Sequence, residues 1–220
     1  MTAATEPPTV TCWWACLHSA DIRLKTLLRP ADSTRIQQFT QPSDRGRRMV
    51  AQVLVDALAP DSTRLCPECA SRSHGAVVAR SRFVSVSHAR SLVVVAVSDW
   101  PVGIDVDHAG DIRGTTGATN PHLWTRREAV VKLRGIRDAT ATLACAGVSV
   151  CPWPQHAVAT AGQVATTDLV IPAGRGTGRY AASVAWPTSG TTPAHSSMTV
   201  VHRDGDRLIA RLLGKQQTAP

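Results

Sequence analysis

Aromatic residues other than tryptophan are scarce in this chain: one Tyr and two Phe stand among 220 residues. Proteins that grip single-stranded nucleic acid interleave cationic grooves with stacking rings, so this scarcity weighs against a basic nucleic-acid module. No helix-turn-helix and no complete zinc finger is recognisable either. No apolar run approaches the ~20 residues that span a bilayer as a helix, so no membrane partner is expected. The first eleven residues hold no basic start followed by an apolar stretch, so a cytoplasmic location is expected. Acidic residues are the minority. Sixteen Asp+Glu face 24 Lys+Arg, a net charge of +8 carried mostly by arginine. Such a balance suits an anionic partner, whether nucleic acid, a phosphorylated small molecule or an acidic protein.

What is present bounds the fold. Hydrophobic residues make up 43% of the chain, enough for a core, and the length allows one large domain or two small ones. Six cysteines sit at 12, 16, 66, 69, 145 and 151. Without a secretion signal, disulfides are the poorer explanation. Cys66, Cys69 and His74 offer three zinc ligands where a closed structural site wants four; the alternative is a reduced pair in a loop.

Periodicity predicts a strand over 10–17, a short helix over 29–39 that starts after Pro30, and a helix over 46–58. Arg47 would stand near the start of that second helix, where anions are favoured. Residues 60–82 are turn-rich and read as irregular. Strands follow over 83–87, 92–97 and 102–107, the second a continuous β-branched run suited to burial. Then come a Gly/Thr-rich loop over 109–121, a helix over 123–133, and strands over 165–171, 179–186 and 197–203. Asp204-Gly205 reads as a turn. Residues 208–215 fit helix or strand, and 216–220 are expected to fray. A helix followed by strands in each half suggests an α+β fold of two similar lobes, 1–100 and 101–220, with a boundary near Asp99–Pro101.

Two features carry chemistry. Asp105 and Asp107 alternate with Ile104 and Val106, which puts both carboxylates on one strand face. Carboxylates so close repel unless a cation stands between them or one stays protonated. Mg²⁺ suits the pair, because it takes carboxylate and phosphate oxygens. A bare pair of this kind is also common on a solvated strand face. The second feature is the stripe Trp124, Glu128, Lys132 at i, i+4 and i+8. It reads either as a surface ion pair or, with the Trp part-buried, as a third metal ligand or general base beside a phosphate contact. His88 ends a strand beside Ser85 and Ser87, a good place for a phosphate-binding turn, and Arg35, Arg47 and Arg48 add positive charge.

In order, Phe83-Val-Ser-Val-Ser-His88, Val102-Gly-Ile-Asp-Val-Asp107 and Trp124-Thr-Arg-Arg-Glu-Ala-Val-Val-Lys132 resemble the motif series of the Sfp-type 4′-phosphopantetheinyl transferases. Their second motif reads (V/I)G(V/I)D(V/I)E and their third W(S/T)xKEAxxK. Phe39 through Val55, with Asp44 and Arg47, resembles their coenzyme A-holding helix, and Cys66-x-x-Cys69 with His74-Gly75 resembles a segment of actinobacterial members. The resemblance spans roughly residues 30 to 135. It implies two similar α+β lobes with the active site at their junction. It implies an enzyme that moves the phosphopantetheine arm of coenzyme A to a serine of an apo acyl- or peptidyl-carrier protein, releasing 3′,5′-ADP. Asp105, Asp107 and Glu128 would hold Mg²⁺ on the pyrophosphate. Glu128, Lys132 and His88 would be catalytic: Glu128 would deprotonate the serine, and Lys132 would offset the charge on the phosphates. Arg35, Arg47, Arg48, Ser87, His88 and Lys132 would bind coenzyme A. Two lobes in one chain imply a monomer.

The chain departs from the pattern at four places. Asp107 stands where the family has Glu, and Arg127 where it has Lys. The Gly-Lys-Pro segment reads Gly75-Ala76-Val77 here, which removes a phosphate-binding lysine. Only sixteen residues separate Asp107 from Trp124, so the helix expected to touch the carrier reads as bare loop. Narrow carrier specificity or weak transfer follows. The alternatives are a degenerate member that binds coenzyme A or carrier with little transfer, and a basic nucleic-acid module.

Overall fold

The computed structural model describes residues 7–17, 22–65, 76–116, 120–134, 157–159, 164–175, 179–188 and 198–217. The chain is mixed α+β. One sheet carries the order β10-β1-β5-β4, built from β1 (Thr9–Cys16), β4 (Phe83–Ala89), β5 (Leu92–Ser98) and β10 (Thr199–Asp204). The other is the antiparallel sheet β6-β9-β8-β7, from β6 (Gly103–His108), β7 (Ala157–Ala159), β8 (Val164–Asp168) and β9 (Tyr180–Pro187). The helices are α1 (Pro30–Gln37), α2 (Pro42–Leu58), α3 (Ala109–Thr116), α4 (Pro121–Leu133) and α5 (Gly205–Gln217).

Strand β5 explains the architecture. Every residue of Leu-Val-Val-Val-Ala-Val-Ser is buried. Leu92, Val94 and Ala96 meet Ile104, Val106, Val184 and Trp186 of the second sheet, while Val93, Val95 and Val97 meet Val50, Val53 and Leu54 of α2. A strand with apolar neighbours on both faces needs no polar alternation. On the far side of the second sheet, Ala129, Val130 and Val131 of α4 pack on Val164 and Ala185. The layers therefore run α2, first sheet, second sheet, α4.

Several expectations are corrected. Helix α2 begins at Pro42, whose fixed φ suits the first helical position, so Arg47 lies more than a turn inside rather than near the start. The segment read as bare loop after Asp107 forms α3, with Asp111 in its first turn and Ile112 buried. Within 60–82, β2 (Thr63–Leu65) and β3 (Ala76–Val78) pair as a small antiparallel ladder. Asp204-Gly205 is the junction of β10 and α5, not a hairpin turn. A Cβ at Gly205 would sit 2.8 Å from the Trp14 carbonyl oxygen, which explains the glycine. Residues 208–215 are helical, and the strand expected over 165–171 ends at Asp168. The expected boundary near Asp99–Pro101 falls between β5 and β6, and the closing strand and helix return to the first sheet. No helix among the described residues is long and apolar enough to cross a membrane. Cys66, Cys69 and His74 lie outside the described residues.

Candidate functional site

The two sheets pack face to face, with the inner face of β4 set against β6, the edge strand of the second sheet. Ser85 Oγ accepts from the Ile104 amide at 3.0 Å, and Ser87 Oγ accepts from the Val106 amide at 3.2 Å. Both serines are buried, on the β4 face opposite Val84 and Val86. Backbone amides at a buried edge must be satisfied, and here two side-chain hydroxyls do what a neighbouring strand would do.

A cavity of about 370 Å³ opens at this junction. Strand β6 contributes Asp105, Val106 and Asp107; β4 contributes Val86, Ser87 and His88; α4 contributes Trp124, Glu128 and Lys132; α2 contributes Arg48 and Ala51; and β2 contributes Arg64. The stripe of α4 is thus the face turned to the cavity, while Thr125, Arg126, Ala129 and Val130 are buried. The helix starts where Asn120 caps it, its side chain accepting from the His122 and Leu123 amides at 3.0 and 3.4 Å.

Asp105 is 5% exposed, and its charge is held by Lys132 Nζ at 2.6 Å and by the Ser87 hydroxyl at 2.8 Å. Lys132 also donates to Ser87 Oγ at 2.9 Å, so the three side chains form a closed triangle. Asp107 differs. Burial, then the nearby Asp105 charge, pushes its carboxyl up to about 6, against a bond from the His108 amide at 2.7 Å. Such a carboxyl gains from an added cation. His88 is pushed down to about 4 by burial and by the charges of Arg48, Arg47 and Lys132. Its imidazole is neutral at pH 7 and offers a hydrogen bond rather than a charge.

Arg35 and Arg47 do not line the cavity. Arg35 donates to Asp32 Oδ1 and to Gln52 Oε1, both at 2.9 Å. Arg47 pairs with Asp44 and donates to the Arg90 carbonyl at 3.0 Å, at the left-handed turn between β4 and β5. Arg64 is the cavity cation that sequence reasoning missed, because it lies in the segment read as irregular. It stands opposite Val77 in the β2–β3 pair and shares Gln52 Oε1 with Arg35, at 3.1 Å. Arg35 and Arg64 therefore share one acceptor, the Gln52 side-chain oxygen.

Helix α4 is anchored by a buried pair on the face away from the cavity. Arg126 is 2% exposed and grips Asp168 of β8 with two nitrogens, Nε at 2.7 Å. Ser183 Oγ donates to Asp168 at 3.0 Å and contacts Thr125 Oγ1 at 2.8 Å. Burial alone would raise the Asp168 carboxyl, but the His122 imidazole 3.5 Å away and the bonds and charge of Arg126 hold it down at about 2. A depressed folded value means stability present above the ordinary value of ~3.9 and lost as pH falls toward 2. Asp168→Asn is expected to be less stable than the wild type at pH 6, with a difference of about 2–3 kcal/mol that vanishes near pH 2. Urea melts at stepped pH measure this. A difference independent of pH would remove the ionic role.

Oxygen donors suit a hard cation, and Asp105, Asp107 and Glu128 face one cavity. Among the described residues, however, no group of three His, Cys, Asp or Glu side chains is arranged to hold a metal ion by itself. The site as built combines carboxylates on one wall with Arg48 and Arg64 on another. It can receive a polyanion whose own oxygens complete the coordination of a divalent cation. No protein-family model matches the chain, and no curated protein matches it in sequence.

Proposed function

We propose that the chain is a 4′-phosphopantetheinyl transferase, with a fold of two similar lobes. It would take coenzyme A in the junction cavity and pass the phosphopantetheine arm to a serine of an apo acyl- or peptidyl-carrier protein. The observation that carries this reading is convergence. Residues drawn from four separate stretches of sequence, Arg48, Ser87 with His88, Asp105 with Asp107, and Glu128 with Lys132, line one cavity. A solvated strand face and a surface helix pair would have no reason to meet.

The chemistry needs each wall. Asp105, Asp107 and Glu128 would hold Mg²⁺, which would supply charge neutralisation to the phosphate oxygens. Asp107 would be ionised once paired with that cation. Glu128 would take the proton of the carrier serine. The serine oxygen then bonds to the phosphorus that bears the pantetheine arm, and the phosphoanhydride bond breaks. The electron pair leaves with 3′,5′-ADP, whose phosphates face Arg48 and Arg64. Lys132 keeps Asp105 oriented and places a positive charge beside the reacting phosphate. Arg64 pairs in register with Val77, in the segment that lacks the family's lysine. Positioning and charge neutralisation supply most of the rate in such transfers.

The test is direct. The purified protein is incubated with coenzyme A, MgCl₂ and a panel of apo-carriers, and intact masses are read. A gain equal to one phosphopantetheine arm, on few carriers of the panel, is expected. Coenzyme A binding without any mass gain would favour a binding remnant instead.

A further inference from the structure

A second cavity lies at the opposite edge of the first sheet. It measures about 360 Å³ and is lined by Trp13, His202, Arg203, Asp204, Arg207, Leu208 and Arg211. It shares no residue with the junction cavity. In the order β10-β1-β5-β4, this cavity abuts β10 and β1 while the other abuts β4. Three strand spacings, or about 14 Å, separate those edges.

Its charge is unusual. Arg203 pairs in register with Trp13, and Arg207 and Arg211 follow at i,i+4 on α5. Like charges at that spacing are unfavourable in a helix. The nearby acids do not answer them. Asp204 Oδ1 accepts from Arg175 at 2.9 Å and from the Arg207 backbone amide at 3.0 Å. Asp206 pairs with Arg175 and accepts from the Cys16 amide at 2.8 Å. The guanidiniums of Arg203, Arg207 and Arg211 have no carboxylate partner among the described residues. Three unanswered cations around a hollow want an anion, and guanidinium forks match phosphate oxygens. The rest of the lining includes His202, whose Nδ1 accepts from Trp14 Nε1 at 2.9 Å, and two apolar side chains, the half-buried Trp13 and Leu208. A bare ion would leave both unused.

We propose that this cavity is a second binding site, for a small phosphorylated ligand that carries a flat ring, of the mononucleotide class. The phosphate lies on Arg203, Arg207 and Arg211, and the ring lies against Trp13. A hollow of about 360 Å³ matches the size of a small ligand.

Calorimetry on the full chain tests this, with AMP as probe and inorganic phosphate and adenosine as comparators. Each is measured in an Arg48→Ala/Arg64→Ala background, which removes both arginines of the junction cavity and leaves Lys132 in its ion pair with Asp105. Saturable AMP binding is expected there, tighter than either comparator. It should weaken by at least about tenfold in Arg207→Ala/Arg211→Ala, because charge-assisted hydrogen bonds to the phosphate are lost. Both arginines are exposed, so their truncation leaves the fold intact. Trp13→Leu should weaken AMP but not phosphate. The proposal is overturned if AMP does not bind in that background, or if the Arg207/Arg211 variant binds it unchanged. It is also overturned if adenosine binds as well as AMP, or if a single-stranded oligonucleotide binds far tighter with a steep salt dependence.

Discussion

Asp105→Ala is expected to lower phosphopantetheine transfer by about 10²–10³-fold or more, the usual cost of removing one preorganised electrostatic contact. The side chain does two jobs at once. It presents an oxygen to the cavity, and it holds Lys132 at 2.6 Å and the Ser87 hydroxyl at 2.8 Å. Without it, Lys132 loses its ion partner and the triangle opens. Asp105→Asn separates the jobs: it keeps the shape and an acceptor for Lys132 but removes the charge. If the charge matters, Asn should be nearly as inactive as Ala while melting closer to wild type. Coenzyme A affinity, read by calorimetry without carrier, should fall far less than the transfer rate, because Arg48 and Arg64 remain. Full activity in the Asn variant would place the metal-binding role elsewhere and leave Asp105 as a structural partner of Lys132.

Gly103→Ala is expected to damage fold and activity together. A Cβ at Gly103 would stand 2.0 Å from the Ala129 carbonyl oxygen, 2.6 Å from the Leu133 amide nitrogen and 3.0 Å from Leu133 Cβ. Two of these atoms are helix backbone, so no side chain can turn aside. Helix α4 must move off β6, and it carries Glu128 and Lys132 with it. A destabilisation of about 3 kcal/mol is expected, the upper end of overpacking costs. Transfer should fall by more than stability alone explains, since a displacement of about 1 Å at the reacting groups costs about 10²-fold. Urea denaturation and the mass assay, run under conditions where the variant is fully folded, check both. An unchanged midpoint would show that the helix yields without cost. The same contact gives a physical reason for glycine between Val102 and Ile104, a position the sequence offers only as part of a motif.

Much of the secondary structure was legible. The buried run of β5, the alternation of β6 and the apolar rows of α2 follow from local pattern alone. The misses share a cause. Among the residues of α3 whose side chains are described, Ile112 is the one buried apolar residue, so no periodic stripe announces the helix; in the fold, Asp111 pairs with Arg90 at 2.6 Å. Strand β2 is three residues long and rests on its partner β3. Gly205 looked like turn chemistry, but its reason is a close approach to Trp14, a residue far away in sequence.

The site divides in the same way. By itself the sequence determined which residues share a face: Asp105 with Asp107 through the two-residue period of a strand, and Trp124, Glu128 and Lys132 through the period of a helix. It also determined which residue types could meet a phosphate or a cation. Only the tertiary structure decided which of those faces meet. It brought Arg48 and Arg64 into the cavity while turning Arg35 to Gln52 and Arg47 to Asp44. The physical reason is that periodicity reports burial within one element. The choice among equally charged arginines depends on which carboxylates and amides the folded chain sets beside each one.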